Sequence, residues 1–454
     1  MITAKTQGAF IVTNPASSNP WRTARALADK TPPSRNRYVD FLRAVSICVV
    51  VFGHWLVSTP GIVEGTLRNV EVMRVMPWTQ WLSWAMQVMP VFFVVGGYSN
   101  SVSWLSAQGK GLGYGDWAAK RMQRLVGPLV PLLIFWILFT VIARQLGADL
   151  ELMRGASVAA LIPVWFLSVY IVVTALTPVT HAFYRTVGAA SFWVFALAAA
   201  LVDFVAYSFE LPALRWANYA FVWLAVHQLG FMWQDGRLAG PRRALPLALG
   251  GLGVLIVLIT FAGYPVAMLS VPGEPFSNSR PPTLALLTLG VFHTGLLLAL
   301  EAPARRWLQR AVPWTLTVLV NSRIMTMYLW HLTVMVLLVA VAMQFDDIGL
   351  HTLPGSSDWW PVRLVWLGVL FSVLLVFIAL FGRFEQPAKR KTVSRLPTWR
   401  IVIGTILLSL GLALLASGGT SVEDSVGLRL VAVLPALIGA FLVMPRVSFR
   451  PHRN

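Results

Sequence analysis

Stretches of about 20 mainly apolar residues, the length a helix needs to cross a hydrocarbon core of ~30 Å, recur twelve times in this chain. They fall at 41–59, 78–104, 125–143, 158–178, 189–207, 214–234, 244–269, 283–300, 314–343, 361–382, 401–416 and 428–444, the last two being the shortest. A helix satisfies its own backbone donors and acceptors in lipid. The pattern therefore predicts an all-α fold, a polytopic transmembrane helical bundle of about twelve helices. Composition agrees: 57% of the 454 residues are hydrophobic and 12% are charged, roughly half the charge fraction of a soluble domain. Twenty Trp and nine Tyr suit the interfacial belts of a bilayer protein.

The formal charge of +18 is carried by bases in short loops between the spans. That distribution reads as orientation by the positive-inside rule and not as a nucleic-acid surface. With the N-terminus inside, about 26 Lys and Arg lie inside, about eight outside (counting Arg215, Arg363 and Arg429 at the outer ends of their spans), and two (Arg43 and Arg323) within spans. Both termini are then cytoplasmic, in a multi-pass protein of the cell membrane. Loop 383–400 holds Arg383, Lys389, Arg390, Lys391, Arg395 and Arg400, whereas loop 344–360 across the membrane holds Asp346, Asp347 and Asp358 and no base. A basic inner face attracts anionic lipids and phosphorylated cofactors. Residues 1–37 are polar, with Pro15, Pro20, Pro32 and Pro33, and read as a disordered cytoplasmic tail without a secretory signal. The single cysteine, Cys48, excludes an intrachain disulfide or a cysteine-based metal site. No soluble domain is evident, so any chemistry must use intramembrane or short-loop residues.

Ionisable side chains in apolar spans are costly and mark a functional site or a buried pair. In the first span, Arg43 and His54 are eleven residues apart. At ~100° and 1.5 Å per residue they share one helix face and stand about 16 Å apart along the axis. One face thus carries a permanent cation near one surface, three residues after Asp40, and a titratable imidazole deep inside. Two readings fit Arg43: it snorkels to lipid phosphates, or it belongs to a site with His54.

A second constellation is Asn321-Ser322-Arg323 followed by Tyr328 and His331, the last two neighbours at i, i+3. Interhelical hydrogen bonding alone accounts for Asn321, Ser322 and Tyr328. Arg323 needs an anion or a water-filled cavity. His227 and His293 lie in other spans, and each alone is more often structural. No His-Glu-x-x-His, phosphate-binding loop, nucleophile elbow or cysteine cluster is present, which disfavours zinc proteases, nucleotide triphosphatases and serine hydrolases. Pro90 interrupts the second span, and Gly96-Gly97 permits close approach of another backbone.

In order along the chain, these residues form a pattern. It comprises Asp40-Phe-Leu-Arg43 with His54; Met89-Pro90-Val-Phe-Phe-Val-Val-Gly-Gly97-Tyr; Lys120-Arg121-Met-Gln-Arg124 ahead of Pro128; Val164-Trp165-Phe166-Leu167; Ser322 followed by Tyr328-Leu-Trp-His331; and Phe384-Glu385-Gln-Pro387. The pattern resembles the acyltransferase-3 family, membrane acyltransferases that modify cell-surface polysaccharides, lipids and some antibiotics. Gly96 stands where the family usually has Ser, and Tyr328 falls six residues after Ser322, a longer spacing than usual. The resemblance implies a ten-helix acyltransferase domain over 38–400 and two additional helices in 401–454.

It also implies acyl transfer from cytosolic acyl-CoA, acetyl-CoA by family habit, to a hydroxyl of a glycan, glycolipid or lipid acceptor at or beyond the outer face. Acyl-CoA is then a co-substrate, with no tightly bound cofactor and no metal. His54 and Arg43 are the expected catalytic residues. Arg43, Lys120, Arg121 and Arg124 would meet the anionic CoA, an arginine fork suiting phosphates. His54 would act as general base or carry the acyl group as an acyl-imidazole. Asp40, Ser322, Arg323, Tyr328, His331, Glu385 and His227 would support the site or the acceptor. The competing readings are a twelve-helix secondary transporter, for which no internal repeat is found, and a non-catalytic glycan-binding scaffold.

Overall fold

The computed structural model describes residues 19–274, 276–385, 396–423 and 427–444. The chain folds as an all-α bundle. Its first part comprises α1 (Pro20–Asp29), α2 (Arg37–Val57), a hairpin of β1 (Ser58–Val63) and β2 (Thr66–Glu71), α3 (Val72–Val75), α4 (Thr79–Met86) and α5 (Met89–Gln108). The middle comprises α6 (Tyr114–Val126), α7 (Leu129–Gln145), α8 (Leu150–Leu161), α9 (Val164–Ala175), α10 (Thr177–Val187), α11 (Ala190–Ser208), α12 (Asn218–Gln234) and α13 (Pro241–Phe261). The last part comprises α14 (Leu284–Ala299), α15 (Glu301–Trp307), α16 (Ala311–Asn321), α17 (Ile324–Ala342), α18 (Trp359–Phe381), α19 (Thr398–Gly418) and α20 (Leu430–Val443).

Seven helical spans are long and apolar enough to cross a membrane, or up to ten if each bent helix pair counts once. α12 and α20, the shorter helices, supply the remaining two of the twelve expected stretches. The bends follow backbone chemistry. α6 meets α7 at 44° across Gly127-Pro128, and α8 meets α9 at 43° across Ile162-Pro163. Proline lacks the N–H that would continue the ladder. Pro90 lies in the first turn of α5, just past the break that separates α4 from α5. α17 is central, with two-thirds of its most apolar stretch buried, whereas 11% of the most apolar stretch of the α18 span is buried.

Three features depart from the sequence-based expectation. Residues 20–29 are helical rather than part of a disordered tail. Asn19 caps α1 by accepting from Trp21 N at 2.9 Å, and Ala24 and Ala28, one turn apart, are buried. α1 lies along α16, and Trp314 Nε1 donates to Thr31 Oγ1 at 3.0 Å. Two small residues make a face too weak to see in hydropathy. Next, the loop after the first span forms the β1–β2 hairpin, turning at Glu64-Gly65, both with positive φ. It is fastened to the loop after α17 by Ile62 N donating to Leu350 O at 2.9 Å. Lastly, the expected span 314–343 is broken at Ser322-Arg323 into α16 and α17.

Two close contacts organise the interior. A Cβ on Gly97 would stand 2.2 Å from His227 O, and one on Gly230 2.2 Å from Val94 O, so glycine brings α5 and α12 into backbone contact. α19 and α20 are joined in the same way at Gly411 and Gly439. They also pack into the bundle: Ser168 Oγ on α9 donates to Ser409 O at 2.8 Å, and Thr140 and Thr420 hydroxyls are 2.6 Å apart.

Candidate active site

α2 and α17 bring together two histidines that are 277 residues apart in the chain. His54 Nδ1 lies 2.9 Å from His331 Nε2, with the rings stacked at 5.1 Å between centroids. His331 Nδ1 lies 2.7 Å from Tyr328 O. A carbonyl oxygen only accepts, so the hydrogen-bond network assigns the His331 proton to Nδ1. In the neutral ring Nε2 is then a bare lone pair that accepts from His54 Nδ1–H. The His54 proton is thereby held on Nδ1, and its Nε2 lone pair is free, with no hydrogen bond to any described residue. Trp55 Nε1 donates to His331 O at 3.0 Å, and Tyr328 Oη donates to Pro163 O at the α8–α9 bend. The pair is therefore held from three elements.

Arg43 occupies the other end of the same face of α2. It pairs with Asp40 at 3.3 Å, and its Nη2 donates to Ser99 Oγ at 2.8 Å. Asp40, buried, also pairs with Arg35 at 2.6 Å. Arg121 donates to Ser99 O at 2.7 Å and to Ser103 Oγ at 3.1 Å, within electrostatic reach of Arg43 and Arg124. Arg124 in turn feels Arg35 and Arg43. Arg35 and Arg43 thus share the Asp40 carboxylate, whereas no ion pair among the described residues engages Arg121 or Arg124. Beside them Lys110, Lys120, Arg121 and Arg124 line a cleft of about 370 Å³ with Ser103 and Ser106. Uncompensated guanidinium groups over an open cleft are suited to a polyanion.

The acyltransferase-3 family model, described as an acyltransferase domain, matches residues 36–382, about three quarters of the chain. The chain belongs to this acyltransferase family. No curated protein and no solved structure matches it. Membership speaks for a membrane acyltransferase over the transporter and scaffold readings.

In this acyltransferase the remaining expected residues divide by what they touch. Glu385, outside the matched segment, accepts from Met325 N at 2.9 Å, Thr326 N at 3.1 Å and Thr326 Oγ1 at 2.9 Å. It caps the start of α17, taking up two of the amides that the break at Ser322-Arg323 leaves without an intrahelical partner. Arg323 lies in electrostatic reach of Glu385 and against Gly382, so its anion is this cap. Ser322 Oγ donates back to Leu319 O at 2.7 Å. The Tyr328 hydroxyl donates to Pro163 O, a tie between α17 and the α8–α9 bend. His227 is fully buried with Nε2 3.2 Å from Asn100 Nδ2, and no hydrogen bond links it to the histidine pair. Pro387, Lys389, Arg390, Lys391 and Arg395 lie outside the described residues, as do residues 1–18 and 445–454.

Four participants escape sequence reasoning. Arg35 lies ahead of the first span. Ser99 and Ser103, one turn apart on α5, are small hydroxyls without a signature. Arg363, in the first turn of α18, is a third base held within the bundle, where the loop count places it outside. An arginine at the start of so apolar a span is itself the signal.

Proposed function

We propose that this acyltransferase moves an acyl group, acetyl in the first instance, from cytosolic acyl-CoA to a hydroxyl of a cell-envelope glycan, glycolipid or other membrane-presented acceptor. The observation that carries the reading is the hydrogen-bond relay Tyr328 O, His331, His54, which leaves one imidazole lone pair free on the helix that also carries Arg43. The arginine-lined cleft supports CoA phosphates at the end of α2 that the charge bias assigns to the cytoplasm. The protein sits in the plasma membrane with both termini on that side.

His54 Nε2 takes the acceptor hydroxyl proton as its oxygen attacks the thioester carbonyl. His54 Nδ1–H, held by His331 Nε2, stabilises the imidazolium that forms. The tetrahedral intermediate collapses with cleavage of the C–S bond, and the CoA thiolate regains the proton from His54 Nε2. Attack by the same lone pair on the thioester would instead leave acyl on the protein. Label retained on the protein and released by hydroxylamine distinguishes the two.

The decisive experiment supplies radiolabelled acetyl-CoA to membranes containing wild type or His54→Ala. Label in lipid or glycan extracts with wild type alone supports the reading and identifies the acceptor fraction. No transfer by either protein, with succinyl-CoA and longer acyl-CoAs also tried, overturns it.

A further inference from the structure

At the end of α2 opposite the arginine cluster lies a cavity that the acyl-transfer chemistry does not use. Thr59, two residues past the end of α2, and Met335, one turn or about 6 Å past His331 on α17, both line it. Its walls include Arg363, Thr59, Met335, Leu350, Trp359 and Trp366, and its free space of about 10 Å³ admits one oxygen-sized group.

Arg363 is 5% exposed and Thr59 2%, and Arg363 Nε and Thr59 Oγ1 both lack a hydrogen-bond partner. Arg363 Nη2 donates to Trp55 O and Ser58 O, both neutral carbonyls at the end of α2. No carboxylate of the described residues pairs with it. A guanidinium in a bilayer protein that lacks a counter-ion and retains an unused donor beside a second unused hydroxyl is selective for an anionic oxygen. A neutral hydroxyl would satisfy the donor and leave the charge uncompensated.

We propose that this cavity anchors the acceptor, binding one oxygen of a carboxylate or phosphate between Arg363 Nε and Thr59 Oγ1 so that a hydroxyl of the same molecule faces His54 Nε2. The proposal rests on the acyl-transfer reading for its purpose and on Arg363 and Thr59 for its chemistry. Donor and acceptor then approach the histidine pair from opposite ends of α2, and the enzyme selects acidic acceptors.

The test uses the full-length protein in detergent with three acceptors on one scaffold: hexyl β-D-glucuronide, hexyl β-D-glucoside 6-phosphate and neutral hexyl β-D-glucoside. Transfer from labelled acetyl-CoA and the shift in unfolding temperature without acetyl-CoA are both measured. The expected result is at least a tenfold preference in kcat/KM for an acidic acceptor. Which acid is preferred separates carboxylate from phosphate. Arg363→Gln keeps a donor for the α2 carbonyls and removes the charge, so the preference should fall to within twofold while KM for acetyl-CoA holds. Thr59→Val, which does not touch those carbonyls, should lower the preference and carries the test if Arg363→Gln does not fold. Equal use of all three acceptors, or an equal loss on all three in Arg363→Gln, overturns the subsite and leaves acyl transfer standing. Stabilisation of wild type by an acidic glycoside, absent in Arg363→Gln, supports the subsite even where no acyl is transferred, and the failure then belongs to the acyl-transfer reading. Neither transfer nor stabilisation overturns the subsite.

Discussion

Each histidine of the pair has a distinct task because each ring nitrogen has a distinct neighbour. His331 is pinned by Tyr328 O and in turn pins His54, which alone has a free nitrogen. His331→Phe keeps an aromatic ring and removes the acceptor for His54 Nδ1–H. In steady-state assays kcat should fall on the order of 10²–10⁴-fold with little change in KM for acetyl-CoA; an unchanged kcat would show that His54 needs no orienting partner. At the other end, Arg121→Ala removes a charge-assisted contact worth about 1.5–3 kcal/mol, so KM for acetyl-CoA should rise roughly tenfold or more. The exposed Lys120→Ala should have a smaller effect, and equal effects would argue against a fitted phosphate site. Arg43 and His54 were legible at this scale because helix periodicity alone sets their common face. The orientation of His54 was not, since a tautomer depends on a neighbour that sequence order does not reveal.

Among the elements, α17 matters most, because it carries His331 and begins at an internal break. Glu385 closes that break through three donors. Glu385→Ala should cost about 0.5–2 kcal/mol of stability, seen as a lower unfolding temperature in detergent, and should reduce kcat through displacement of His331. Lower kcat without lower stability would return Glu385 to a direct chemical role. Gly97→Ala places a methyl 2.2 Å from His227 O, a backbone atom that cannot turn aside. Overpacking of this kind costs roughly 1–3 kcal/mol, measurable as a drop in unfolding temperature, and wild-type stability would mean that α5 and α12 separate easily. The close approach at Gly96-Gly97 was readable from two small residues in a span. The break at Ser322-Arg323 was not, because no proline marks it and its cap comes from residue 385.

For the whole molecule, the ordering of charge along the chain makes a claim about sidedness. In a Cys48→Ser background, Lys110→Cys should react with an impermeant maleimide only in inverted vesicles, and Asp358→Cys only in intact cells. The reverse pattern would overturn the orientation. Hydropathy, charge bias and the 3.6-residue repeat are local properties, so the sequence by itself determined the all-α membrane bundle, its spans and the shared face of Arg43 and His54. The tertiary structure alone decided which nitrogen of His54 is free, what Glu385 caps and where Arg363 points. Each of these depends on groups 59 to 308 residues apart meeting in space, and hydrogen-bond partners at such separations leave no periodic trace in the chain.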